Sequence, residues 1–285
     1  MNVELVELRI FKAVAEQGGI TKAAAVLNRV QSNVTTRVKR LEQRLGARLF
    51  IREGRRLALS PEGKVLLAYA DRLLKLSAEA QAALKGREPH GVLKLGALES
   101  TAATRLPPIL ARYHRAYPDV RLELATGTTG ALVGKVLRGE LEAAFVAEPF
   151  AAKNLQSQHV FTEELVLITP KDRPRVATPK DLGHETILAF ATGCSYRRRL
   201  EAWLGRSRVV AERVMEYGSY HAIVACAAAG SGIAVVPKSV LRAVGMEAQV
   251  AVHPLPAKIA SARTLLVWRH SHQSSALDAL RSALE

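Results

Sequence analysis

The sequence has little cysteine, few aromatic residues and no long apolar run. Its 285 residues include two cysteines, Cys194 and Cys226, which give neither a disulfide framework nor the spacing of a metal site. The longest apolar-rich stretch, AIVACAAAGSGIAVVP, is broken by Gly-Ser-Gly, and the N-terminal residues do not resemble a signal peptide. These features argue against a disulfide-rich secreted protein and a membrane protein, so we expect a cytoplasmic location.

Acidic residues are also few relative to basic ones. The chain has 26 Asp and Glu against 41 Lys and Arg, a net charge of +15, which favours polyanionic partners. Residues 1 to 88 hold 17 basic and 9 acidic side chains, a net charge of +8, so the rest of the chain, at +7, is basic as well. With 48% hydrophobic residues, the length allows a sizeable core and two domains.

Catalytic motifs are missing from the sequence. It contains no HExxH, no GxSxG and no glycine-rich phosphate loop. The run Gly230-Ser231-Gly232 is more simply a helix end. We therefore expect neither an enzyme nor a cofactor.

The clearest positive pattern lies in residues 21 to 56. Apolar side chains recur there with helical spacing, and a polar stripe follows about a quarter-turn away. The apolar stripe is Val34, Val38, Leu41 and Leu45, and the polar stripe is Asn33, Arg37, Arg40 and Arg44. This arrangement predicts a helix that packs with one face and can bind an anion with the next.

The flanking segments predict a winged helix-turn-helix. Residues 4 to 16 have a helical apolar face that ends at Gly18 and Gly19, and Thr21 is suited to cap a helix from Lys22 to Leu27. The turn that follows is so short that two helices must pack at an angle. Beyond the polar helix, LFIRE and RRLALS have strand-like composition around Gly54 and predict a wing.

The charge of this segment indicates DNA as its partner. Between Arg29 and Arg56 there are nine basic residues and two acids, a net charge of +7. Such a patch can displace counterions from a phosphate backbone. The alternative is a solvated charged face, but the helix, turn and wing together favour DNA.

The sequence also resembles the LysR-type transcriptional regulators. The resemblance rests on LRIFKAVAEQGGITKAAAVLN, on VKRLEQRLGARLF and on RRLALSPEGKVLL, and the chain looks like a subgroup with an RVQSNVTTR-type recognition helix. Family members commonly read VSQSAVSRQI there, so base preference cannot be transferred. The resemblance implies sequence-specific binding to double-stranded DNA. The candidate DNA contacts are Thr21, Arg29, Gln31, Ser32, Asn33, Thr35, Thr36, Arg37, Arg40, Arg52, Arg55 and Arg56.

A long helix should follow the wing. Ser60-Pro61-Glu62 is a helix start, and no Gly or Pro interrupts the chain from Lys64 to Lys85. A heptad seam runs along it at Leu66, Ala70, Leu73, Ser77, Ala80 and Leu84. The seam could pack on the chain's own second domain, but the resemblance implies an antiparallel dimer through residues 60–88. Its DNA site would then be an interrupted dyad, and family analogy favours a tetramer.

The remaining sequence alternates between strands and helices. We expect strands at VLKLGAL, VRLELAT, LEAAFVA, LVLITP, TILAF, GIAVVP and TLLVWR, with helices at 105–116, 130–138, 195–204, 220–229 and 274–284. This order predicts an α/β domain with a mainly parallel sheet. The resemblance implies two subdomains, as in periplasmic binding proteins, joined by strands that cross near 162 and return near 263.

The predicted domains are therefore 1–59 for DNA binding, 60–88 for dimerisation and 89–285 for an effector. The effector domain divides into subdomain I, about 91–162 with 264–285, and subdomain II, about 163–263.

Four loops rich in hydroxyl groups follow predicted strands or open predicted helices. Such positions bind ligands in α/β proteins, although Ser and Thr there are more often helix caps. The loops suit a small organic anion, and one of Arg197, Arg198 and Arg199 could point inward to meet it. The resemblance adds weight to effector binding. The candidate residues are Ser100, Thr101, Thr128, Thr129, Cys194, Ser195, Tyr196, Tyr220 and His221.

The favoured function is a DNA-binding transcriptional regulator controlled by a small-molecule effector. One alternative is a redox-responsive regulator that senses through Cys194, whose thiol pKa Arg197 could lower. Against it, Cys226 lies 32 residues away in an apolar helix. Nonspecific DNA packaging is another alternative, but it leaves the large second domain without a role.

Overall fold

The computed structural model describes residues 3–53, 56–84, 88–150 and 153–284. The chain divides into two compact units, Met1–Arg87 and Glu88–Glu285. Across the described ranges, no helix is both long enough and apolar enough to cross a bilayer.

The N-terminal unit has three helices, a two-stranded hairpin and a long helix. In chain order these are α1 (Leu5–Gln17), α2 (Ile20–Val26), α3 (Gln31–Leu45), β1 (Phe50–Glu53), β2 (Arg56–Leu59) and α4 (Pro61–Leu84). Strands β1 and β2 pair antiparallel. The predicted winged helix-turn-helix is confirmed, with α2 and α3 as the two helices and the hairpin as the wing. Gly54, expected at the hairpin turn, lies outside the described residues.

The apolar stripe of α3 forms the core of this unit. Val34 packs with Val14 of α1, and Leu41 packs with Phe11. Helix α3 ends at Gly46, whose φ of 63° lies in the left-handed region that favours glycine. The hydrophobic spacing therefore fixes which side of α3 faces inward and which faces solvent.

The expected cap of α2 is wrong. The helix begins at Ile20, Gly19 occupies the capping position, and no side chain caps the first turn. Thr21 lies inside that turn and is exposed. The helix starts earlier than predicted because the chain leaves α1 at Gly18, which adopts the left-handed conformation and turns it directly into α2.

Helix α4 begins as predicted, and its expected seam is partly buried against α1 and partly exposed. The Ser60 hydroxyl accepts a hydrogen bond from the Gly63 N–H at 2.9 Å and donates to the Arg48 carbonyl at 2.6 Å. Of the expected seam, Leu66 and Ala70 pack on the N-terminal unit itself, because they stand over α1. Among the described side chains of α4, the large apolar ones left exposed are Val65, Tyr69, Leu73 and Leu76.

The C-terminal unit alternates strands and helices. Its elements are β3 (Gly91–Ala97), α5 (Glu99–Thr104), α6 (Leu106–Ala116), β4 (Val120–Thr126), α7 (Thr129–Arg138), β5 (Ala143–Ala147), β6 (Leu155–Pro170), β7 (Thr186–Ala189), α8 (Ser195–Arg206), β8 (Arg213–Glu216), α9 (Tyr220–Ala228), β9 (Ala234–Pro237), α10 (Lys238–Val244), β10 (Val250–Pro254), α11 (Ala257–Ala260), β11 (Ser261–Arg269) and α12 (Ser275–Ser282). Every predicted strand and helix is present. The patterns missed α5, α10, α11, β8 and β10, which are short and carry no clear period.

The seven-stranded sheet is mixed rather than mainly parallel, and β7 and β8 form a separate two-stranded sheet. Strand β3 pairs parallel with β4 and β5, and β7 pairs parallel with β8. However, β11 runs antiparallel to both β5 and β6, and β6 is antiparallel to β9 and β10. The expectation failed because β6 continues for 16 residues and β11 returns along it.

Two lobes lie on either side of this strand pair. The first lobe contains β3, β4, β5, α5 to α7 and α12, and the second contains β7 to β10 with α8 to α10. Thr162 pairs with Arg263 where β6 and β11 pass from one lobe to the other, close to the expected crossing points. The antiparallel pair is therefore the connection between the two lobes.

His253 is a buried histidine in the second lobe whose hydrogen bonds fix its uncharged form. Its Nδ1 accepts from the Val176 N–H at 3.1 Å, so the proton is on Nε2, which donates to the Thr169 hydroxyl at 2.9 Å. Burial, with a smaller contribution from the Arg173 charge, lowers the pKa of His253 below its usual 6.5. Protonation of Nδ1 would break the bond from Val176.

We predict that His253 makes the second lobe less stable in mild acid. Because the folded pKa is lowered, the unfolded chain binds more protons as pH falls below about 6.5, and stability falls until the folded pKa is reached. The free energy of unfolding should be measured at about pH 7.5 and about pH 5.5. In His253→Gln, whose amide oxygen can still accept from Val176, the loss between the two pH values should be smaller. An equal loss in both proteins would place the effect on another histidine.

Candidate functional site

The outward surface of α3 carries the candidate DNA contacts. Gln31, Ser32, Asn33, Thr36 and Arg40 are exposed, while Thr35 and Arg37 are half-buried. The Thr35 hydroxyl donates to the Gln31 carbonyl at 2.9 Å within the helix. Within the described part of the chain, no acid forms an ion pair with Arg29, Arg37 or Arg40. Their guanidinium groups are therefore available to an external anion.

Arg44, at the end of the same stripe, has a different role. Its guanidinium lies 2.8 Å from the buried carboxylate of Glu7 and 3.8 Å from that of Glu4. These contacts hold α3 against α1. The expectation that the whole stripe binds an anion is therefore wrong at this position, because a charge buried on α1 requires a partner.

The wing and the turn hold the remaining candidates. Arg52 and Arg56 lie on β1 and β2, which place them on the hairpin, but their side chains are outside the described residues, as is all of Arg55. Thr21 and Arg29 are exposed on α2 and in the turn. The predicted contacts thus lie on three neighbouring segments of one small unit.

A cleft between the two lobes holds most of the candidate effector residues. It has a volume of about 260 Å³, part of it open to solvent. The lining residues are Leu98, Glu99, Ser100, Gly127, Thr128, Phe190, Cys194, Ser195, Tyr196 and Tyr220. Six of the nine predicted residues lie on this wall, because strand ends and helix starts from both lobes meet there. Thr101 and Thr129 are buried behind it, and His221 is exposed at the start of α9.

Three of these hydroxyl groups have structural partners. Thr128 caps α7 by accepting from the Ala131 N–H at 3.4 Å, and the Thr129 hydroxyl donates to the Ala147 carbonyl at 3.2 Å. Ser195 donates to the Glu148 carbonyl. The cap interpretation is thus correct for Thr128, and Thr129 and Ser195 fix the ends of β5 and α8.

None of the three consecutive arginines supplies charge to the cleft. Arg197 pairs with Glu201 at 2.7 Å and Glu216 at 2.6 Å, and Arg198 donates to the Pro149 carbonyl. Arg199 donates to backbone carbonyls, including that of Ser261 at 2.9 Å. The expectation that one of them meets an effector is wrong because the chain's own oxygens already bind all three.

Sequence reasoning did not select Glu99, which lies on the cleft wall. Its carboxyl faces the backbone N–H of Tyr220, and burial raises its pKa. One carboxyl oxygen, Oε2, has no hydrogen-bond partner. Its position in the sequence could have identified it, because Glu99 starts a helix directly after a strand and is next to Ser100.

Comparison with known proteins identifies the family. The description "LysR substrate binding domain" matches residues 86–285, and "Bacterial regulatory helix-turn-helix protein, lysR family" matches residues 5–64. The chain belongs to the LysR family of transcriptional regulators. It combines the family's DNA-binding domain with an effector-binding domain, as expected from the resemblance.

Relatives and solved structures agree with this assignment. The chain is 41% identical to the regulator YusT of Bacillus subtilis over 95% of this chain and 92% of the relative, and 37% identical to GltR of the same organism over 94% and 90%. A full-length OxyR variant from Pseudomonas aeruginosa has the same fold, with a TM-score of 0.75 at 24% identity over 100% of this chain and 95% of that one. CbnR complexed with target DNA gives a TM-score of 0.69 at 22% identity over 99% of both chains. Both relatives are named as transcriptional regulators.

The cysteines of this LysR-family regulator give the redox alternative no support. Cys194 is 8% exposed, and burial raises the pKa of its thiol despite the nearby Arg197 and Arg198. A redox-sensing thiol needs the opposite shift and access to solvent. Cys226 lies on α9, where the hydroxyl of Tyr217 contacts its sulfur.

A buried carboxylate joins the two lobes of the regulator next to the cleft. Glu163 on β6 accepts from Arg105 Nε at 2.7 Å and from its NH2 group at 3.2 Å. Ser239 of α10 donates to the same carboxylate at 2.8 Å. Arg105 belongs to the first lobe and Ser239 to the second, so this acid connects both lobes at the crossing strand.

We predict that Glu163→Ala destabilises the C-terminal unit by about 2–3 kcal/mol, because it removes charge-assisted bonds and leaves two donors unpaired. Glu163→Gln should lose less, since its amide oxygen can still accept. Urea unfolding followed by tryptophan fluorescence reports on this unit, because both tryptophans, Trp203 and Trp268, lie in it. Glu164→Ala is the control. That neighbour is exposed and pairs only with Lys238 on the surface. Equal losses for Ala at the two positions would contradict the role of Glu163.

Proposed function

We propose that this regulator reads specific base sequences with the exposed surface of α3. Arginine and asparagine side chains read base edges in the major groove. Arginine can bind guanine through two hydrogen bonds, and asparagine can bind adenine in the same way. Arg40 and Asn33 lie on the exposed stripe of α3, and Arg29 beside it is suited to a phosphate. The observation that carries the proposal is this stripe of unpaired polar groups on a helix anchored by Leu41 and Arg44.

We propose in addition that the regulator is a dimer through α4. Val65, Tyr69, Leu73 and Leu76 form an exposed apolar face over three turns of this helix. Such a face is costly to leave in water, and a second copy of α4 can cover it. Two recognition helices related by a two-fold axis would then bind an interrupted dyad.

Pairing of dimers into tetramers is a further part of the proposal. The C-terminal unit keeps a second exposed apolar group at Val210, Val214 and Met215, on and near strand β8. Their burial in a second contact would give each chain two interfaces.

The cleft provides control of DNA binding. We propose subdomains of about 91–162 with 264–285 and about 163–263, which an effector draws together or separates. A ligand shifts such an equilibrium only by its different affinity for the two arrangements. DNA contacts by the regulator would then depend on the effector, in the cytoplasm where its target DNA lies. We also place the chain in the subgroup with the RVQSNVTTR-type recognition helix.

The first experiment is a selection of genomic fragments by the purified protein at physiological salt. We predict enrichment of a few fragments with an interrupted dyad. Asn33→Ala and Arg40→Ala should weaken binding to these fragments by about 1–3 kcal/mol each and relax the preference at one base pair. Arg121→Ala removes one exposed positive charge from the C-terminal unit and serves as the control. Uniform retention that disappears with added salt would contradict sequence-specific regulation and favour nonspecific packaging.

The dimer has its own test. We predict that Leu76→Glu, at a position 61% exposed, dissociates the protein at concentrations where the wild type is dimeric, because a carboxylate cannot be buried in an apolar contact without cost. Sedimentation velocity measures the mass. Lys64→Glu, exposed on another side of α4, should leave the mass unchanged. An unchanged mass in Leu76→Glu would exclude this face as the interface.

A further inference from the structure

The cleft carries a negative charge, although the chain as a whole is strongly basic. Glu99 is the only charged side chain among its lining residues. Within the described ranges, no cation comes into ion-pair distance of this carboxyl group; burial raises its pKa, and the Tyr220 N–H and His221 oppose that shift only in part. A carboxyl group that is half removed from water and has no ion-pair partner is stabilised in its charged form by a cation.

The helix starts around the cleft offer few donors to an anion. The Ala131 N–H of α7 is bound by Thr128, and the Gly130 N–H donates to the Gly193 carbonyl across the cleft at 3.3 Å. At α9, the first N–H faces the Glu99 carboxyl. At α8, the N–H groups of Tyr196 and Arg197 face the sulfur of Cys194. An incoming anion would therefore find donors already directed at other groups and a carboxylate in their midst.

Two buried hydroxyl groups lie together on the wall. Ser100 and Tyr196 are each 2% exposed, and among the described residues neither hydroxyl has a partner with good hydrogen-bond geometry. The two are close enough to interact, since Ser100, like Thr264, acts on the Tyr196 pKa as a hydrogen-bond partner. Both oxygens can accept hydrogen bonds, as can Glu99 Oε2. Three acceptors on one wall match a group with several N–H donors.

One wall of the cleft is aromatic. The rings of Phe190 and Tyr220 lie with centroids 4.7 Å apart at 54°. A second cavity shares Phe190, Cys194, Tyr196 and Tyr220 with the cleft. Its other lining residues are Leu188, Ala189, Leu200, Ile223, Val235 and Arg197, and the guanidinium of Arg197 is paired with Glu201 and Glu216. Aromatic faces attract cations, and the apolar lining suits a small apolar group.

We propose that the effector is a small organic cation, a primary ammonium group on a short apolar body. The ammonium donates to the Glu99 carboxylate and to the oxygens of Ser100 and Tyr196, and the apolar part lies against Phe190 and Tyr220. This inference rests on the proposed control of the regulator through the cleft. It replaces the expectation of an organic anion, because the arginine that lines the adjoining cavity, Arg197, is already paired with Glu201 and Glu216.

Calorimetric titration of the purified full-length protein tests the charge of the ligand. The probes are benzylamine, protonated at neutral pH, benzoate and benzyl alcohol, which share a ring and differ in charge. We expect binding of benzylammonium at least about tenfold tighter than that of the other two, as for one charge-assisted contact. Equal or tighter binding of benzoate, or no binding of benzylammonium, would overturn the proposal.

Variants locate the contact. Glu99→Gln should weaken benzylammonium binding about tenfold or more, and Glu212→Gln, at an exposed acid of the second lobe, should leave it unchanged. Unchanged binding in Glu99→Gln would also overturn the proposal. DNA binding by the same preparations separates the two levels of inference. If the wild type binds benzylammonium but no specific DNA, the regulatory role is wrong. If it binds specific DNA but not benzylammonium, only the proposed class of effector is wrong.

Discussion

The buried Glu163 carboxylate is the constraint on which the C-terminal unit depends. It lies on the strand that crosses between the lobes and takes two donors from Arg105 and one from Ser239. A charge removed from water must be paired on nearly all sides, so its three bonds fix the relative position of the lobes in this structure. The Tyr196 hydroxyl also lies in the field of Glu163, which connects this junction to the cleft wall.

Arginines serve the same purpose elsewhere in the chain. Arg44 pairs with buried Glu7 and so holds the recognition helix α3 against α1. Arg199 donates hydrogen bonds to backbone carbonyls at the end of β5 and the start of β11. A high positive charge therefore does not mean that each arginine meets an external anion. Those that do not pair, such as Arg40, are distinguished by position on the outward face of α3 and not by sequence context alone.

The sequence predicted the elements with strong periods and failed where tertiary contacts decide. The stripe of Val34, Val38 and Leu41 correctly predicted which face of α3 is buried, because burial of these apolar side chains is the main source of free energy in packing the helix. The seam of α4 divides between two environments, since Leu66 and Ala70 pack near α1 while Leu73 is exposed, and the spacing alone does not distinguish packing on α1 from packing on a second subunit. The direction of β11 was missed because strand composition does not encode which neighbour a strand pairs with. Six cleft residues were found from their places after strands, while Glu99 was passed over because one acid at a helix start is ordinarily a favourable first-turn residue.

The role of Glu99 shows how a shared fold can accept a different ligand. Helix N-termini carry partial positive charges, so a cleft surrounded by them favours an anion. Here the chain itself supplies that anion as a carboxylate. Once Glu99 faces the first N–H of α9, the remaining field at its free oxygen is negative. The sign of the ligand then follows from one side chain on α5, while the strands and helices that build the cleft stay the same. The family can therefore be assigned from the fold, but the effector must be argued from the side chains on the cleft wall.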